Sequence, residues 1–186
     1  MSEFSESFHF PTSDAASLKA KLERAGLTGE LYGPSSTGWI TYVPLEGCPG
    51  FSTLASSQGG FAGKLSTIAN LPALEYINCE DHMWSAMLWR DGQLWARYAC
   101  EWDDDITVDT SEADVVRFGE LPAAADASAG LERALAHKVS EDDLLRGEPL
   151  AYHFAKALGL PRYQWTSAMY LTADGGTDGG TPLQPR

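Results

Sequence analysis

The chain has 186 residues, with 26 acidic and 13 basic side chains and a formal net charge of −13. Hydrophobic residues make up 44% and aromatics 11%, enough for a sizeable core, which excludes global disorder. No run approaches the ~18 apolar residues of a membrane helix, and the acidity opposes contact with nucleic-acid phosphates or anionic lipid, so neither is expected as a partner.

The N-terminus, MSEFSESFHF, is acidic and lacks the basic and apolar regions of a secretory signal, so a cytoplasmic location is expected. A helix is predicted over 13–25. Thr12 or Ser13 caps it, Asp14 sits in its first turn and Gly26 stops it. Two strands follow, Glu30 to Tyr32 and Trp39 to Val43, the second β-branched and aromatic. Residues 47–63 contain five glycines and read mostly as loop. Lys64 to Asn70 suggests a short helix, and Ala73 to Cys79 another strand.

The clearest element is a hairpin over 81–102. Asp91-Gly92 is the pair favoured where both central turn residues need positive φ. A two-residue loop sets Leu88 opposite Trp95, Met87 opposite Ala96, Met83 opposite Cys100 and His82 opposite Glu101. Met83, Ser85, Met87, Trp89, Leu94, Ala96, Tyr98, Cys100 and Trp102 then share an apolar face that should be core. The mixed face carries His82, Trp84, Ala86, Leu88, Arg90, Gln93, Trp95, Arg97, Ala99 and Glu101. Helices are expected at Ser111 to Phe118 and over 127–138. Ser140 to Asp143 resembles a capping box, and Pro149 opens a helix running to Leu158. Tyr163 to Leu171 reads as a last strand, and residues 172–186 as a flexible Gly/Pro-rich tail after a single domain over 1–171.

Few residue patterns carry chemistry. Gly59-Gly60-Phe61-Ala62-Gly63-Lys64 lacks the first glycine and the Ser/Thr of a phosphate loop. Cys48, Cys79 and Cys100 form no CxxC, which argues for reduced core cysteines and against a zinc ribbon or redox pair. No catalytic residue, metal ligand or cofactor is assigned. His82 with Glu101 is either a cross-strand ion pair or an oriented base. Glu80 and Asp81 meet Asp103, Asp104 and Asp105 at the hairpin's open end. From Glu101 to Asp114 seven acidic residues run without a base. Such a rim is a solvated surface, a protein-binding surface or a cation site, although calcium-loop spacing is missing. Trp84 and Trp95 on the mixed face are either covered by helices or floor an exposed aromatic groove.

The Trp-rich strand, the Asp-Gly turn, the acidic segment, the run from Ala151 to Pro161 and the ending Met169-Tyr170-Leu171 together resemble small uncharacterised bacterial α+β proteins, some of them like the immunity proteins of toxin systems. The expected fold is α+β: a mainly antiparallel sheet of five to six strands with three to five helices. The expected function is a cytosolic, non-enzymatic protein whose acidic face engages a basic protein partner, with Glu80, Asp81, His82, Trp84, Trp95, Glu101, Asp103, Asp104 and Asp105 as binding residues. The alternative is a small enzyme or ligand-binding protein using the Trp84/Trp95 face with His82 and Glu101. Oligomeric state is left open.

Overall fold

The structure, a computed structural model, describes residues 3–45, 60–121, 127–145, 147–173 and 179–184. In chain order the elements are β1 (Phe4–Pro11), α1 (Ala15–Arg24), β2 (Gly29–Tyr32), β3 (Trp39–Pro44), α2 (Phe61–Ala69), β4 (Ala73–Cys79), β5 (Met83–Arg90), β6 (Gln93–Glu101), β7 (Thr107–Asp109), α3 (Glu112–Gly119), α4 (Ala127–Ala134), α5 (Glu141–Leu145), α6 (Leu150–Leu158), α7 (Ala168–Ala173) and β8 (Thr181–Leu183). The α+β class is as expected. The described strands form one sheet of eight, not five to six, in the order β7-β6-β5-β4-β1-β3-β2-β8. Every pairing among them is antiparallel, and the described residues form seven helices, not three to five.

Local chemistry explains most elements. Asp14, not Thr12 or Ser13, caps α1 by accepting from the Ser17 amide at 2.9 Å. Ser140 and Asp143 form the expected reciprocal cap: the Ser140 amide donates to the Asp143 carboxylate at 3.0 Å, and the Asp143 amide to the Ser140 hydroxyl at 3.3 Å. At the hairpin turn Asp91 and Gly92 have φ of +50° and +79°, as the turn type demands. The Gly92 amide also donates to the Ser66 hydroxyl at 3.0 Å, fastening the turn to α2.

Three expectations need correction. Tyr163 to Leu171 is not a strand. Arg162 and Trp165 sit at positive φ, which interrupts extension, and α7 follows. The segment instead crosses the end of β1 where β3 no longer pairs: the Glu6 amide donates to the Thr166 carbonyl at 2.8 Å, and the Thr166 amide to the Ser5 hydroxyl at 3.0 Å. Nor is 172–186 wholly a tail. Within it, β8 pairs with β2, and Leu183 is buried. The part of the tail at 174–178, like Cys48 and most of the loop over 47–63, lies outside the described residues.

The third correction is register. A β-bulge lies between Leu88 and Trp89 of β5 on the pairing with β6. The expected pairs hold only beside the turn; beyond the bulge Leu88 faces Ala96, Ala86 faces Tyr98 and Trp84 faces Cys100. One extra residue on a strand flips every later side chain. The first core therefore joins Trp84, Ala86 and Leu88 to Ala96, Tyr98 and Cys100, under Phe118, Leu131 and Phe154. Close packing of α4 on α6 needs Gly130, where a Cβ would lie 2.9 Å from that of Ala157. The second core, on the opposite face, holds Phe8, Phe10, Ile40, Tyr42 and Trp89 under α1 and α2. Trp89 is core, as expected, but on the other side of the sheet from Tyr98.

Candidate functional site at the acidic end of the sheet

The β4–β5 turn and the β6–β7 loop lie side by side. Antiparallel strands bring their ends together, and the Trp102 amide donates to the His82 carbonyl at 2.9 Å. Glu80, Asp81, His82, Glu101, Asp103, Asp104 and Asp105 are all exposed here. His82 does not face Glu101; Met83 does. The His82 Nδ1 instead meets the Asp103 Oδ1 at 2.5 Å, with both side chains mostly in solvent. Among the described residues no lysine or arginine pairs with Glu80, Asp81, Glu101, Asp104 or Asp105. The field is felt nearby. Burial first, then the charges of Asp81 and Asp103, push the Cys79 thiol above its ordinary range.

Two hollows open beside the rim. One, of about 400 Å³, is lined by Trp102, Asp103, Asp104, Asp105, Ile106, Glu141 and Leu144. The other, of about 290 Å³, shares Trp102 and Leu144 and runs inward past Glu80 to Asn78, Trp84 and Glu3. Glu3 is 2% exposed and richly bonded. It accepts from the Ser5 hydroxyl at 2.5 Å, from the Trp165 amide at 2.9 Å and from the Tyr152 hydroxyl, while its own amide donates to Glu80 at 2.8 Å. Buried carboxylates require such partners. The indole N–H of Trp84 finds none among the described residues.

Of the two expectations for Trp84 and Trp95, cover by helices holds for Trp84, and the alternative aromatic groove does not form. Trp84 is 1% exposed and packs between Tyr98 and Phe154, at ring-centroid distances of 4.6 and 5.6 Å. Trp95 sits at the bulge, toward the other end of the hairpin. There its carbonyl accepts from the Arg117 guanidinium at 2.5 Å, and Arg90 stacks 3.3 Å from its ring centroid. Of the expected binding residues, the structure thus gathers Glu80, Asp81, His82, Glu101, Asp103, Asp104 and Asp105 at one end. It sets Trp84 behind them and Trp95 apart.

Sequence reasoning missed Glu3, Asn78, Glu141 and Tyr152 as neighbours of this end. The capping box at Ser140 was the available signal for Glu141, because a helix starting there presents acidic residues in its first turn. Among the described residues no cluster of histidine, cysteine and carboxylate side chains is arranged to hold a metal ion, and no helix is long and apolar enough to cross a membrane. Comparisons with protein-family models, curated proteins and solved structures found no match to this chain.

Proposed function

We propose that this chain is a non-enzymatic, cytosolic bacterial protein that binds a basic protein partner through the acidic end of its sheet, as an immunity protein does. The observation that carries the reading is the set of exposed carboxylates at Glu80, Asp81, Glu101, Asp104 and Asp105, without a described lysine or arginine partner. Unpaired surface charge of one sign steers an oppositely charged partner and adds specificity, while its effect on the fold is small. The mechanism is occlusion: the bound partner's basic surface is covered. The test offers the protein a panel of basic proteins and oligoarginine, with association followed at increasing salt. Changing Asp103, Asp104 and Asp105 together to Asn should slow association at least several-fold and flatten its salt dependence. Unchanged rates in the variant would exclude the rim as the contact surface.

A further inference from the structure

The sheet face that bears the second core carries two carboxyls side by side. Phe8 of β1 lies opposite Glu75 of β4, and Glu6 opposite Ile77, so Glu6 and Glu75 are diagonal neighbours. Both are buried, and neither has an ion-pair partner among the described residues. On β5, Met87 faces Glu75 and Trp89 faces Ala73. The indole N–H of Trp89 stands beside the Glu75 carboxyl, yet it is buried and makes no well-formed hydrogen bond. The six-membered ring of the same indole supports α2. A Cβ on Gly63 would lie 3.0 Å from Cε3 and 3.3 Å from Cζ3 of Trp89, so glycine at 63 is what lets the helix backbone rest on the ring. That Cβ would also lie 3.2 Å from the Gly92 carbonyl oxygen, and the Gly92 amide donates to the Ser66 hydroxyl at 3.0 Å. One rigid ring thus links a buried carboxyl to a helix, and through it to the hairpin turn.

The other charged groups on this face are occupied or in solvent. Arg97 of β6, opposite Met87, holds Asp109 at 3.0 Å. Glu101, opposite Met83, is exposed. Cys79 of β4 has its thiol pushed up, first by burial. Tyr42 of β3 donates its hydroxyl proton to the Thr28 carbonyl. The charged residue of α2, Lys64, is exposed. On α1, Lys19 holds Glu23, Lys21 donates to the Ala69 carbonyl and Arg24 is exposed. Among the described residues, then, the group placed to receive charge on Glu75 is the Trp89 N–H. Hydrogen bonds to a carboxylate are shorter and stronger than those to a neutral acceptor. Burial raises Glu75 to about 7, and burial with the charge of Glu75 does the same for Glu6. The change of charge therefore falls in the neutral range, while the chain is folded.

We propose that Glu75 is a proton-operated latch on α2: loss of its proton draws in the Trp89 N–H, and the shifted ring alters the seating of α2 and of the hairpin turn. With the proton on, the indole N–H stays unpaired and the ring lies flat under Gly63. With the proton off, the N–H donates to the carboxylate and the ring moves with it. Glu6 makes the step single. Once Glu75 is charged, its diagonal neighbour holds its own proton more tightly, so the pair releases one proton across the transition.

The test is an NMR titration of the intact protein from mildly acid to mildly alkaline pH. It follows the Trp89 indole N–H, the Gly63 and Gly92 amides and the carboxyl carbon of Glu75. The indole proton should move downfield with a midpoint near about 7, together with the Glu75 carbon. The two glycine amides should share that midpoint. In Glu75→Gln all three N–H signals should stay flat across the range, whereas Glu6→Gln should keep the transition. An indole signal that stays still while the Glu75 carboxyl titrates overturns the latch, and so does a transition that survives Glu75→Gln. An indole shift without movement of Gly63 and Gly92 overturns the link to α2. Should Glu75→Gln fail to fold, the wild type decides alone: distinct midpoints for the Glu75 carbon and the Trp89 N–H overturn the proposal, and a shared one upholds it.

Discussion

Two groups of carboxylates occupy this molecule, and they behave in opposite ways. At the end of the sheet, Glu80, Asp81, Glu101, Asp104 and Asp105 stand in solvent. In the middle of the sheet, Glu6 on β1 and Glu75 on β4 are 7% and 8% exposed on the face that also bears Phe8 and Trp89. Burial, then the neighbouring Glu75, raises the Glu6 carboxyl to about 7. Burial raises Glu75 to about 7 as well, opposed by the nearby Trp89 indole, whose N–H nonetheless makes no well-formed hydrogen bond. The same side-chain chemistry is thus fully solvated charge in one region and a proton-holding pair in the other. A formal charge of −13 therefore overstates the interior and understates how one-sided the charge is. A third case lies between them: Glu23, 5% exposed, meets Lys19 at 2.5 Å and accepts from the Gln184 amide at 2.9 Å.

The largest effect should come from the interior pair. Its carboxyls hold protons more tightly in the folded chain than in the unfolded one. Their contribution is present in full below about 4.5 and is lost as pH rises toward about 7. Glu6→Gln/Glu75→Gln should remove this slope and raise stability at pH 8 by ~3 kcal/mol, read by urea unfolding across pH. A variant less stable than the parent at pH 8 would show that the charged pair has a stabilising partner.

His9 should oppose that slope. It is fully buried between the Ser7 and Thr41 hydroxyls, each 2.9 Å from a ring nitrogen, and burial lowers it to about 3. Its contribution is present above about 6.5 and is lost as pH falls toward about 3. Between about 4.5 and 6.5 the single histidine offsets part of the slope of the two carboxyls, so His9→Gln should steepen the carboxyl slope across that window by ~2 kcal/mol. An unchanged profile in this variant would place the acid limb elsewhere.

Truncation after residue 178 should cost about 2 kcal/mol. It uncovers the Leu183 contact and takes the Gln184 amide from Glu23. A melting temperature unmoved by this cut would mean that β8 contributes no net stability. The smallest stability effect belongs to the rim: Asp103→Asn/Asp104→Asn/Asp105→Asn should alter unfolding free energy by less than about 0.5 kcal/mol, so that its effect on association is readable without a folding correction.

Legibility in the sequence followed chemistry that acts locally. The Asp-Gly turn, the Ser140 cap and α6 with its Pro149 start and Gly159 stop are set by neighbouring residues, and their positions were read correctly. β1 was not foreseen, although it lies inside the sheet. Its Phe4, Phe8 and Phe10 alternate with Ser5, Ser7 and His9, and buried polar residues look like surface until their partners at Thr41 and Thr166 are known. The bulge was equally hidden. Nothing near Trp95 in sequence announces Arg117, which satisfies its displaced carbonyl 22 residues on. The rim was legible because consecutive aspartates after a hairpin need no distant partner to be exposed. The cavity was not, because its walls come from Glu3 ahead of β1 and from β4, β5, α5 and α6 at once.

The ends of the strand order have a consequence for association. A sheet of this width carries unpaired amides and carbonyls along its two margins, which in other molecules recruit further strands and seed fibrils. Here the margins are β7 and β8, each of three residues. The first ends in Asp109, mostly in solvent and paired with Arg97 at 3.0 Å. The second contains Pro182, which has no amide to donate. Short, charged or proline-bearing borders give an incoming strand few groups to pair with, so the long apolar strands inside are shielded from edge-to-edge growth.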